Sequence, residues 1–244
     1  MQSMEGKAVV ITGGNAGIGY ETAKDLLLRG PRVIIACRNI DKVHQALREL
    51  HLETKCNEQN IRLMKCDLSS FNSIHKVKLY NTKEDRLDVL ICNAGLIYTP
   101  NIYNKLKKCQ PSRIINVSSI AHKYPRTTEG LTALTDFKTD DMWGSYCPSK
   151  ACQILSSYKL KHDLRDQGVQ VFSVNPGWVW TSFQGPLRPA VGARTTVYCA
   201  VEPSLEKSSD LYYENCALAK PIPLCTDKKS AEYLWKISCE TVGL

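Results

Sequence analysis

The chain has 244 residues, 43% of them hydrophobic and 23% charged, a balance that excludes a disordered polymer and suits one compact domain with a full core. Its net charge is +8, but no long basic run and no interleaving of aromatic and basic residues accompanies it, so a solvated surface plus an anionic cofactor explains the charge better than nucleic acid or an acidic membrane surface does. No apolar run approaches the ~20 residues of a membrane-spanning helix.

Lys7 to Ile11 reads as a short buried strand. Thr12 to Gly19 then turns the chain, and apolar residues recur at helical spacing from Tyr20 to Leu28. Strand, glycine-rich turn and helix in that order begin a dinucleotide site. Glycine lets the backbone approach a pyrophosphate closely, and the helix start offers free N–H groups to that anion. Gly13, Gly17 and Gly19 give G-x-x-x-G-x-G, not the commoner G-x-G-x-x-G.

Arg32 to Cys37 is a second strand and completes a βαβ unit. The residue after this strand reads the adenosine ribose. An acid there would bind the ribose hydroxyl and repel a phosphate. Here Cys37-Arg38-Asn39 offers a cation, which can pair bidentately with a 2′-phosphate and so predicts NADP(H) over NAD(H). Asp41 reads as the N-cap of a helix reaching about Glu53, with Val43, Ala46, Leu47 and Leu50 on one face.

Ile61 to Lys65 is a third strand, ending at Cys66-Asp67-Leu68. A helix from Ser69 to about Lys83 carries Phe71, Ile74 and Val77 as its apolar stripe. Leu87 to Cys92 is a fourth strand, followed by Asn93-Ala94-Gly95, and Arg113 to Val117 a fifth, followed by Ser118 and Ser119. Tyr146 to Asp166 is a long helix, Val169 to Val174 a sixth strand and Ala190 to Val201 a helix. Leu211 to Tyr213 reads as a last strand, and Lys228 to Thr241 as a closing helix with Ala231, Leu234, Trp235 and Ile237 inward. There is no internal repeat and no linker. The alternation predicts an α/β protein with a doubly wound parallel sheet in three layers, one domain over residues 1–244.

Tyr146 and Lys150 stand four residues apart, so on a helix they share a face. A phenol with pKa about 10 is a poor proton carrier at neutral pH. A nearby ammonium favours the phenolate and lowers that value.

TGGNAGIG after the first strand, NAG after the fourth, and a serine pair followed by YCPSK resemble, taken together, the short-chain dehydrogenase/reductase family over nearly the whole chain. ACRN, PSRIINVSS, YCPSK and NPGWVWT look most like its retinol-dehydrogenase-like branch. The resemblance implies a Rossmann fold and hydride transfer between a nicotinamide cofactor and an alcohol, aldehyde or ketone of hydrophobic, retinoid- or steroid-like character. By the same likeness Tyr146 would exchange the substrate proton, Lys150 would tune it and hold the nicotinamide ribose, and Ser119 would hydrogen-bond the substrate oxygen. The glycine turn, with Gly13, Asn15, Gly17, Ile18 and Gly19, would hold the cofactor. So would Arg38 and Asn39, Asp67 and Leu68, and Asn93, Ala94 and Gly95. Pro176, Gly177, Val179 and Thr181 would embrace the nicotinamide end. Plainer readings stand beside these: Ser119 could cap a turn and Asp67 the helix starting nearby, and the Asn116 sequon lies on a central strand, unfit for glycosylation.

Two departures from the family pattern matter. Only the 17 residues 96–112 separate Gly95 from Arg113. The family places there a long helix bearing an asparagine of its catalytic tetrad and a face used in dimers. Here only Asn101 to Cys109 could be helical, about two turns. This predicts a compromised dimer interface, an exposed flank on the sheet and on the Tyr146 helix, and weakened catalysis. The segment after Thr181, SFQGPLRPAVG, is likewise shorter than the family's substrate lid. The catalytic triplet therefore argues for an enzyme, and the two shortenings for a nucleotide-binding relative without turnover.

The 11 cysteines are odd in number and include no C-x-x-C, which predicts free thiols, no disulfide framework and no metal site. No signal peptide is visible. The expected setting is the cytoplasm or the cytosolic face of an organelle membrane, with no membrane anchor in this chain.

Overall fold

The structure is a computed structural model and describes residues 2–74, 85–95, 100–124, 142–179 and 188–242. In chain order its main elements are β1 (Ala8–Thr12), α1 (Gly17–Leu27), β2 (Arg32–Cys37), α2 (Ile40–Thr54), β3 (Ile61–Lys65), β4 (Val89–Cys92), α3 (Pro100–Lys108) and β5 (Ser112–Val117). These are followed by α4 (Met142–Leu164), β6 (Val169–Asn175), α5 (Pro189–Val201), β7 (Tyr212–Glu214), β8 (Ala217–Leu218) and α6 (Lys228–Val242).

The strands form one eight-stranded sheet in the order β3-β2-β1-β4-β5-β6-β7-β8. All neighbours are parallel except β7 and β8. The strand order reverses between β1 and β4. At such a switch point the connections leave in opposite directions and open a crevice beyond the carboxyl ends of the strands.

The central strands read as continuous apolar runs because both their faces are covered. Every residue of β1, β4 and β5 is buried. At the sheet edge, β3 buries only Met64. On one face, α1, α2 and α5 press Leu26, Val43, Leu50 and Cys199 onto Val9, Ile11, Val33, Ile115 and Phe172. On the other, α3 and α4 press Ile102, Leu106, Leu160 and Leu164 onto Val10, Ile34, Leu90, Ile114 and Val171. A third cluster packs Ala231 and Leu234 of α6 against Ala151, Ile154 and Leu155 of α4.

Several expectations need correction. Helix α1 begins at Gly17, not Tyr20, because the end of the glycine turn is already helical. Asn39, not Asp41, caps α2: its side chain accepts from the Lys42 N–H at 3.0 Å, and Asp41 falls within the first turn. Helix α4 starts four residues before Tyr146, which places the tyrosine in the second turn. Residues 71–74 are helical, but Phe71 is 52% exposed and so leaves the expected apolar stripe; Val77 lies outside the described residues. The antiparallel β8 was not anticipated. It returns through a two-residue turn in which Asn215 and Cys216 both have positive φ, 50° and 58°. That geometry favours hairpins and suits asparagine better than cysteine.

The exposed flank is also overturned. Ile102 and Leu106, one turn apart on α3, are buried over β4 and β5, and the Ser112 hydroxyl donates to the Leu106 carbonyl at 2.8 Å. Trp235 of α6 packs on the same cluster. Two turns of helix therefore cover this part of the sheet, and no large exposed apolar residue lies on α3 or α4 among the described residues.

Leu106 is fully buried, so Leu106→Ala should cost ~2–5 kcal/mol, read as a lower urea midpoint. Lys108→Ala, on the exposed side of α3, should stay within about 0.5 kcal/mol of the parent. Equal, small effects would show that α3 is not part of the core.

Candidate active site

The crevice at the switch point is closed by contacts between two loops. Gly13 and Gly17 adopt positive φ, 68° and 56°, the region where glycine alone is unstrained. The Ala94 N–H donates to the Thr12 carbonyl at 3.1 Å, and Asn93 Nδ2 donates to the same carbonyl at 3.0 Å and to that of Gly13 at 3.4 Å. Thr12 Oγ1 donates to the Gly95 carbonyl at 3.2 Å. Asn93 is therefore a clasp: its amide holds the glycine turn to the end of β4.

The approach is close enough to exclude side chains. A Cβ at Gly13 would sit 2.7 Å from the Ala94 Cβ, and a Cβ at Gly19 would collide with the Gly13 carbonyl and meet Asn93 Nδ2 at 2.7 Å. Helix α1 starts at this point without a side-chain cap and with no acid in its first turn, so its first N–H groups are available to an anion. This cradle, which any Cβ would fill, fits the pyrophosphate of a dinucleotide.

On the adenosine side, Asn15 Oδ1 accepts from the Cys37 thiol at 3.0 Å, which anchors the turn to β2. Arg38 projects exposed from the end of β2. Asn39 lies beside it, with its side-chain oxygen engaged in the α2 cap. Asp67 Oδ1 accepts from the Ser69 N–H at 3.0 Å and hydroxyl at 2.7 Å. These bonds, with a smaller contribution from Arg38, hold its carboxyl below the usual range. Asp67 thus caps the turn at Ser69, next to the arginine, and not the helix expected to start nearby, where Ser70 Oγ accepts from the Ser73 N–H at 3.2 Å. Leu68 reaches Gly95, where a Cβ would stand 3.1 Å from its Cδ1.

Across the crevice stand Ser119, Tyr146 and Lys150. Ser119 ends the run after β5, and its Oγ accepts from the Ala121 N–H at 3.2 Å, so it too caps a turn. It lines one cleft with Tyr146 and favours the ionised phenol. Lys150 Nζ lies 5.4 Å from the centre of the Tyr146 ring. It donates to the Val117 carbonyl at 3.1 Å and to Gln153 Oε1 at 3.0 Å. Burial pushes the Lys150 amine down to about 8. Burial also pushes the Tyr146 phenol up, against a lowering by Ser119. The expectation that Lys150 depresses the phenol is therefore not met in this geometry. Desolvation is the largest influence on the phenol, and the amine is turned toward its two carbonyl acceptors.

The far wall is the loop after β6. Asn175 Oδ1 accepts from the Ile120 N–H and from the Gly177 N–H, both at 3.1 Å, and so ties the turn of Ser119 to Pro176-Gly177. Val179 is buried against the position of a Gly192 Cβ, which would also stand 3.3 Å from Ile18 Cγ1. Thr181 lies outside the described residues. The cleft is lined by Ile18, Ser119, Tyr146, Pro176, Gly177 and Val179, and also by Ile120, Tyr124 and Trp178, which the sequence reading missed. Trp178 and Tyr124 are 55% and 45% exposed, and these exposed aromatics at the mouth are visible only once the fold joins the two loops. Asn175 was missed as well, although it begins the NPG stretch. Among the described residues no group of three His, Cys, Asp or Glu could hold a metal, and all eleven cysteines are free.

Gly19→Ala must displace backbone, so it should weaken binding of a reduced nicotinamide dinucleotide at least tenfold, roughly 1.4 kcal/mol, in a fluorescence titration. A Kd within about twofold of the parent would show that the close approach is dispensable.

Residues 7–108 match the family described as short chain dehydrogenase. Human retinol dehydrogenase 11 is 33% identical over 281 aligned positions, covering 99% of this chain and 87% of that protein. Human retinol dehydrogenase 12 is 32% identical, covering 99% and 88%. An alignment of 281 positions against a chain of 244 residues means that the relative carries at least 37 positions absent here. A crystal structure of a Mycobacterium paratuberculosis protein superposes with a TM-score of 0.75 at 24% identity, covering 100% of this chain and 96% of that one. Salutaridine reductase from Papaver somniferum gives 0.70 at 21%, covering 85% and 99%. With its sheet order, its glycine cradle and these relatives, the chain belongs to the short-chain dehydrogenase/reductase family, nicotinamide-dependent oxidoreductases built on the Rossmann fold.

Proposed function

We propose that the chain transfers a hydride between NADP(H) and a hydrophobic alcohol, aldehyde or ketone of retinoid- or steroid-like shape. The observation that carries this reading is that Ser119 and Tyr146 line one cleft at the switch-point crevice, with the Lys150 amine beside the phenol ring. The hydride chemistry belongs to the nicotinamide ring when bound. Gly13, Asn15, Gly17, Ile18 and Gly19 would hold the pyrophosphate end, with Asn93, Ala94 and Gly95 bracing them. Arg38 would pair with a 2′-phosphate, Asn39, Asp67 and Leu68 would border the adenosine, and Pro176, Gly177, Val179 and Thr181 would flank the nicotinamide end.

Ser119 orients the substrate oxygen and shares its hydrogen bond with the Tyr146 hydroxyl. Tyr146 gives a proton to that oxygen in reduction and takes it in oxidation. Lys150, charged below about pH 8, stabilises the phenolate left behind. Trp178 and Tyr124 offer flat apolar faces beside the reacting groups. The retinol dehydrogenase relatives are in keeping with a long apolar substrate.

With nine described residues in α3 and α6 laid on α4, the helical face paired in family dimers would be curtailed. Among the described residues no helix is long and apolar enough to cross a membrane. Free thiols and a basic surface suit the cytosol or the cytosolic face of an organelle membrane. A second reading, a nucleotide-binding relative without turnover, is favoured by the raised phenol pKa and by the positions missing relative to the retinol dehydrogenases.

Three measurements decide. Tyr146→Phe keeps the ring and should lower turnover of a retinal or steroid ketone panel by ~10²–10⁴-fold with cofactor binding retained; unchanged turnover removes Tyr146 from the chemistry. Binding of NADPH with no turnover of any alcohol or carbonyl by the parent selects the second reading. Arg38→Asp should reverse the order of NADPH and NADH affinities, and an unchanged order refutes the ribose assignment.

A further inference from the structure

A lysine ammonium has three N–H donors. Two of those on Lys150 are committed within the protein, to the Val117 carbonyl and to Gln153 Oε1. Gln153 lies one turn along α4 and is 8% exposed. This turn of α4 is stitched to β5 at both ends. The Ser118 hydroxyl donates to the Lys150 carbonyl at 2.9 Å. The Ser157 hydroxyl donates to the Gln153 carbonyl at 2.7 Å and accepts from Asn116 Nδ2 at 2.6 Å. Among the described residues, the partners of the Lys150 amine lie on β5 and α4, not on α3.

We propose that Gln153 is the positioning residue of Lys150, holding its amine between β5 and α4 so that one N–H donor is left for the cleft beside Tyr146. The proposal rests on the roles given above to Tyr146 and Lys150. Among the described residues the groups facing the amine are the Tyr146 ring, the Val117 carbonyl and the Gln153 amide, and burial lowers its pKa to about 8. An amide oxygen aimed at an ammonium favours the charged form. Replacing it by an alkyl group must favour the neutral amine, and replacing it by a carboxylate must favour the charged one. Gln153→Leu and Gln153→Glu should therefore shift Lys150 in opposite directions. A packing role alone would shift both the same way or neither.

The test is an NMR pH titration of protein carrying ¹³C-lysine, with the Lys150 signal assigned by its loss in Lys150→Arg, run beside the pH profile of turnover. The Lys150 pKa should fall by about one unit in Gln153→Leu and rise by about one in Gln153→Glu, and the alkaline limb of turnover should follow it. Gln153→Asn, which withdraws the acceptor by one methylene, should behave as Gln153→Leu and replaces it if that variant does not fold. Shifts of the same sign in the Leu (or Asn) and Glu variants, or none above about 0.3 unit, overturn the proposal. A parent protein that binds no nicotinamide nucleotide overturns the reading of the site instead, and the titration still decides what Gln153 does.

Discussion

The close approach of two backbone segments at the switch point governs the site. The Gly13 carbonyl, the first turn of α1 and the Asn93 amide occupy a space in which no Cβ fits at Gly13 or Gly19. Buried carbonyls must be paired, and the Thr12 carbonyl is paired twice, by the Ala94 N–H and by Asn93. Remove a glycine and the helix start moves away; remove Asn93 and a buried carbonyl loses a partner. Either change disturbs the place where the N–H groups of α1 would meet an anion.

The other wall depends on buried polar bonds that carry packing information from strand to strand. Asn116 and Ser118 on and after β5 fix α4, and Asn175 at the end of β6 fixes the turn of Ser119 and the loop of Gly177. Arg113, also buried, donates to the Cys199 and Glu202 carbonyls at 2.9 and 2.8 Å and binds β5 to the end of α5. Each such bond contributes only about 1 kcal/mol net, but an orphaned buried partner costs ~1–3 kcal/mol. The arrangement of Ser119, Tyr146 and Lys150 is thus specified by buried polar groups on the neighbouring strands, at Asn116, Ser118 and Asn175.

The shortened stretch after β4 shows how little helix a sheet face needs when other elements lean in. Ile102 and Leu106 fill the space over Leu90 and Ile114, and Trp235 arrives from the far end of the chain. Coverage is a property of the packed molecule, not of any one segment's length. That is why counting residues between Gly95 and Arg113 suggested bare surface where the fold places a core.

Local pattern was enough for the strands, because a β-branched or apolar run of five or six residues buried on both faces has few alternatives; β2 and β3 fall where the sequence places them. It was enough for the glycine turn and for the pairing of Tyr146 with Lys150, since both are set by short-range geometry. It failed at caps and ends, where Asn39 and Asp41 compete within one turn, and at β8, a strand of two residues whose stability comes from its neighbour. The sequence alone determined the fold class and the chemical vocabulary of the site. Only the tertiary structure decided that Asn93 is a clasp, that Trp178 and Tyr124 share a cleft, that burial raises the Tyr146 phenol, and that Gln153 meets Lys150. Those outcomes depend on distances between residues remote in the chain and on the water excluded when they meet, and neither is written in any local stretch.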